Sequence, residues 1–104
     1  MSITFHPRGI WDEELTLNVA NGNASVPCDF MNADPERGII PAKFIDRAIV
    51  ALGNADLTAH VRKHVTAGNH INFGLPFERL EEYWLQLHTI LRYCEKHKLA
   101  LEWG

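Results

Sequence analysis

Apolar positions recur along the chain in short runs of two periods, two residues and three-to-four residues. From Glu14 to Ala20, Leu15, Leu17 and Val19 alternate with Thr16, Asn18 and Ala20, the pattern of a strand with one buried face. Ile3 and Phe5 share a face of the opening ITF in the same way, and Pro7-Arg8-Gly9 turns the chain after them. Asn21-Gly22-Asn23 ends the second run, because Asn and Gly tolerate the left-handed backbone of tight turns. A short helix is expected from Ala24 to Met31 with Asn23 as its N-cap, and Pro27 suits only its first turn.

The period then lengthens. Pro41 at a helix start and Gly53 just past its end bracket a helix over 41–52. Its apolar stripe is Phe44, Ile45, Ala48, Ile49 and Leu52, with Val50 off the stripe. A second helix is predicted from Ala55 to Ala67 on Leu57, Val61 and Val65, and Ile71 with Phe73 suggests a short extended piece. A long helix opens at Pro76 and runs to His97 along Phe77, Leu80, Trp84, Leu87, Leu91 and Cys94, widened by Tyr83 and Ile90. Such a seam buries on the order of several hundred Å² at ~25 cal/mol per Å², so it dominates the expected stability. Lys96, His97 and Lys98 lie where the helix dipole favours cations. Leu99, Leu101 and Trp103 alternate as a closing strand. The expected fold is α+β: a small antiparallel sheet formed by the N- and C-terminal strands, with three to four helices packed on one face.

Length and charge narrow the class. The 104 residues suffice for one domain, 1–104, and the balance of 10 Lys+Arg against 13 Asp+Glu leaves a net charge of −3. That balance argues against a general nucleic-acid coat or a polybasic membrane binder. MSITFHPR lacks a signal layout and no apolar run approaches a membrane span, so a cytoplasmic protein is expected. Cys28 and Cys94 fit no CxxC pattern, which suits reduced thiols, although two cysteines can pair.

His60 and His64, one helical turn apart, can meet one ion, with Asp56 and His70 as further donors; this is the alternative reading, a small metal-binding protein. The competing reading has both rings covering the edge of the Leu57/Val61/Val65 stripe. Cys94 and His97 pair a thiol with an imidazole, but Cys94 lies on the apolar seam and a helix C-terminus disfavours a thiolate. Ser25 has no GxSxG elbow, the glycines form no phosphate loop, and Glu13-Glu14 and Glu81-Glu82 diverge as sequence neighbours. The reading is non-enzymatic, with no cofactor. Arg62-Lys63 is a compact basic cluster without a recognition pattern around it. Glu78, Glu81, Glu82 and Asp12-Glu13-Glu14 supply acids for a surface that mimics DNA or docks on a basic partner. Leu85 and Tyr93 point away from the seam of the long helix, so a protein-contact face is expected from Glu78, Glu82, Leu85, Gln86 and Tyr93. Its partner is another protein or a second copy, the latter giving a homodimer or an assembly component.

The run LTLNVANGNA, the helix PAKFIDRAIVAL and the ending PFERLEEYWLQLHTILRYCEKHKL into ALEW resemble small uncharacterised bacterial and bacteriophage reading frames. SVPCDFMNAD departs from that pattern, where an uninterrupted apolar helix is usual. The resemblance carries no catalytic residues; it implies a phage or mobile-element accessory protein acting on a host protein.

Overall fold

The structure is a computed structural model and describes residues 2–57 and 76–104. Strand β1 (Ser2–Pro7) pairs antiparallel with β2 (Leu17–Ala20) on one side and with β4 (Leu101–Trp103) on the other. A two-residue strand, β3 (Ile39–Ile40), adds to β4, giving the order β2-β1-β4-β3. The helices are α1 (Ser25–Phe30), α2 (Ile45–Gly53) and α3 (Phe77–His97). The α+β class and the pairing of the two terminal strands agree with the sequence pattern. Strand β3 was absent from it, since two residues carry no period.

Alternation decides the two sheet faces. Registers Phe5↔Leu17, Ile3↔Val19 and Phe5↔Trp103 put these side chains together on one face. Phe5, Leu17, Val19, Leu101 and Trp103 are buried there, and Phe5 stacks on Trp103 with ring centroids 5.3 Å apart. On the opposite face Asn18 donates to the Ser2 and Thr4 hydroxyls. His6 shares that polar face, yet it is buried because exposed Trp11 stacks on it at 3.7 Å. The intervening turn follows from Gly9: its φ of 80° and the hydrogen bond from Ile10 N–H to the Pro7 carbonyl at 3.0 Å close Pro7–Ile10.

The long helix keeps most of its predicted seam. Leu80, Leu87, Ile90, Leu91 and Cys94 are each 0% exposed, and Tyr83 is also buried. Trp84 is half-buried, its indole N–H donating to the Leu52 carbonyl at 2.7 Å. Phe77 is 40% exposed, because a first-turn residue lies beyond the end of the core. Pro76 is the N-cap rather than the first helical residue.

Other boundaries also shift. Glu13–Leu15 forms a 3-10 turn, so β2 starts only at Leu17. Asn21–Asn23 forms another such turn, and Ala24, without a side-chain cap, precedes α1. Pro27 then sits third in α1, where its missing N–H would have no intrahelical partner anyway. Pro41 is extended, and a 3-10 turn over Ala42–Phe44 precedes α2. Within the predicted α2 stripe, Ile45, Ala48 and Leu52 are buried, whereas Phe44 is exposed in that turn; Val50 is exposed, as its position implies. The helix predicted over 55–67 and the extended piece at Ile71 and Phe73 lie almost wholly outside the described residues.

Helices α1 and α3 end alike. After α1, Asn32 is left-handed (φ 55°), with Asn32 N–H on Asp29 O and Ala33 N–H on Cys28 O. After α3, Lys98 is left-handed (φ 56°), with Lys98 N–H on Glu95 O and Leu99 N–H on Cys94 O. Both are Schellman caps, and only the second places a bulky side chain at the left-handed position. Lys98→Gly is therefore expected to stabilise the chain by about 0.5–1 kcal/mol, read as a rise in thermal midpoint. Leu87→Ala is expected to cost about 2–5 kcal/mol by denaturant titration, against less than about 0.5 kcal/mol for the exposed neighbour Leu85→Ala.

Candidate functional site

Helical geometry sets which α3 side chains face outward. Positions 78, 82, 85 and 89 are spaced four, three and four apart and so form one stripe opposite the seam. Glu78, Glu82 and Leu85 are all exposed on it, Leu85 at 61%. Thr89 returns its hydroxyl to the Leu85 carbonyl at 3.1 Å. Arg79 lies 3.6 Å from Glu82, and Arg92 lies 3.3 Å from Glu95. Both pairs are solvated and contribute little to stability.

Gln86 takes a different part from the one expected. It is half-buried, and its amide nitrogen donates to the Glu14 and Thr16 carbonyls, 2.9 Å each. With both amide hydrogens used, it positions the chain instead of meeting a partner. The consequence is a wider acidic face: the Glu13–Leu15 turn packs against α3, bringing exposed Glu13 and Glu14 beside the helix that carries Glu78, Glu81 and Glu82. Tyr93 also departs from expectation, being half-buried with its ring tilted on His97 at 4.2 Å. The arrangement is an apolar knob, Leu85, among carboxylates contributed by two segments.

Neither cysteine is available for chemistry. Burial pushes the Cys28 thiol up to about 12, with the charges of Asp29 and Asp34 adding to the rise. Burial likewise pushes Cys94 up to about 12, and its thiol donates to the Ala100 carbonyl at 3.7 Å. Both are free thiols. His97 engages Tyr93, so the Cys94/His97 pair is not assembled as a nucleophile. His60, His64, His70 and the basic cluster Arg62-Lys63 lie outside the described residues, while Asp56 is exposed. Among the described residues no three His, Cys, Asp or Glu side chains gather as metal donors.

A cleft of about 380 Å³, whose lining includes Arg37, Phe44 and Arg47, has no counterpart in the sequence pattern. Phe44 looked like core because it continues the α2 stripe; nothing local marked Arg37. No helix among the described residues is long and apolar enough to cross a membrane.

The raised thiol values carry a pH dependence. The folded chain retains protons that the unfolded chain releases near 9.0, so this contribution to stability is intact below that pH. It is lost as pH rises from 9.0 toward about 12. Denaturant midpoints should fall over that window, less steeply in a Cys28→Ala/Cys94→Ala chain. A thiol reagent at pH 8 should label both sites only after unfolding.

Protein-family models, curated proteins and solved structures were all compared with the chain, and none of them matches it.

Proposed function

We propose that this chain is a non-enzymatic binding protein that docks a basic protein partner on the outward face of α3. The observation that carries this reading is Leu85, 61% exposed, standing among Glu78, Glu81 and Glu82 with Glu13 and Glu14 held alongside by Gln86. An exposed leucine alone is ordinary on a protein surface. A leucine flanked by several carboxylates matches the anatomy of a small interface, an apolar anchor inside a polar rim. The carboxylates steer a cationic partner and set its orientation. They also disfavour a second copy on this face, since an isologous contact would bring the same acids together. The resemblance to bacteriophage and bacterial accessory frames directs the proposal toward a host protein.

The test compares retention of protein from bacterial lysate by the tagged chain, by Leu85→Ala and by Glu78→Lys/Glu82→Lys. A stoichiometric basic partner is expected on the parent chain, held about tenfold less tightly by Leu85→Ala and released by added salt. The variants' thermal midpoints should stay close to the parent's. A partner held equally by all three chains, or none on the parent, overturns the proposal.

A further inference from the structure

The cleft at Arg37 and Arg47 lies between the Asn32–Gly38 loop and the start of α2, and none of its lining residues belongs to α3. Its floor is apolar, from buried Met31, Ile40 and Ala48, and exposed Phe44 stands at its edge. At roughly 30 Å³ per water-sized group, about 380 Å³ accommodates about a dozen non-hydrogen atoms. That is the lower end of the usual range for small-ligand sites.

The charges around the cleft are arranged against local preference. Arg47 shares the first turn of α2 with Asp46, and Lys43 is in the turn before it; the helix dipole there favours the acid and penalises the two cations. Neither is neutralised: among the described residues, Arg37, Lys43 and Arg47 form no ion pair with a carboxylate. Lys43 and Arg47 instead rest on the Phe44 ring, each 5.2 Å from its centroid. The acid in the lining, Asp34, accepts the Glu36 backbone N–H at 3.0 Å, and against the two guanidinium groups it leaves the lining with one positive charge in excess. The walls are held in place independently of any ligand. Trp103 donates its indole N–H to the Pro35 carbonyl at 2.9 Å and its backbone N–H to the Gly38 carbonyl at 3.0 Å. Gly38 itself has φ 74°, and a Cβ there would meet the Trp103 carbonyl at 3.3 Å.

We infer that this cleft binds a small organic oxyanion, a carboxylate or phosphate ester on a compact apolar body. The anionic group meets the Arg37 and Arg47 guanidinium groups, whose planar donors suit both oxyanions. The apolar body covers Met31, Ile40 and the free part of Phe44. Occupancy offsets the one positive charge by which the two arginines exceed Asp34 in the lining.

Phenyl phosphate and phenylacetate serve as probes, with inorganic phosphate and benzyl alcohol as controls, each titrated into ¹⁵N-labelled chain. Saturable amide shifts confined to residues 31–48 are expected with one or both aromatic anions. Which of them binds distinguishes a phosphate ester from a carboxylate. In Arg37→Gln/Arg47→Gln the affinity should fall about tenfold or more, while the thermal midpoint holds because both arginines are exposed. The inference is overturned if neither anion shifts these residues or if the double variant binds as the parent does. It is also overturned if benzyl alcohol binds as tightly as the anions, or if inorganic phosphate binds as tightly as phenyl phosphate.

Discussion

Burial of the α3 seam is the constraint on which the other elements depend. Leu80, Leu87, Ile90, Leu91 and Cys94 are fully enclosed along one side of a 21-residue helix, and no other helix among the described residues is long enough to serve the whole sheet. Three surfaces close over it: the buried face of β1 and β4, helix α2, and helix α1. Because β1 and β4 come from opposite ends of the chain, their hydrogen bonds hold together only while the helix between them occupies its place. Arg8 N–H to Ala100 O at 2.9 Å and Thr4 N–H to Gly104 O at 3.3 Å extend that tie beyond the paired residues.

Polar side chains at the core's margin then lock segments that apolar contact alone would leave free to slide. Trp84 fastens α3 to the last turn of α2 through the Leu52 carbonyl, Trp103 fastens β4 to the loop at Pro35, and Gln86 fastens α3 to the Glu13–Leu15 turn. Each bond spans at least 32 positions in sequence. A hydrogen bond of this kind contributes about 1 kcal/mol, less than one buried leucine, but it selects one relative placement. Both proposed surfaces follow from these placements. Gln86 sets the acidic turn beside Leu85, and Trp103 holds one wall of the arginine-lined cleft.

The two surfaces differ in how they reach a ligand. On the α3 face exposed Leu85 is flanked by acids, and recognition there rests on steering and rim complementarity. In the cleft the cations are in excess and the floor is apolar, so recognition rests on oriented guanidinium donors and desolvation. Opposite local charge on a chain of net charge −3 comes from folding, since Glu13, Glu14, Arg37 and Arg47 acquire their neighbours from other segments.

Periodicity by itself determined the long helix, its buried side, the outward position of Glu78, Glu82 and Leu85, and the alternation of Leu17, Val19, Leu101 and Trp103. These depend on spacing within one element, which 3.6-residue and 2-residue geometry transmits directly from sequence. Only the tertiary structure decided the rest. Gln86 is spent on two backbone carbonyls, Phe44 leaves the core because a 3-10 turn precedes α2, and Arg37 and Arg47 come to line one cleft. Those outcomes depend on which distant backbone groups lack partners once the core has closed, a property that no window of neighbouring residues contains.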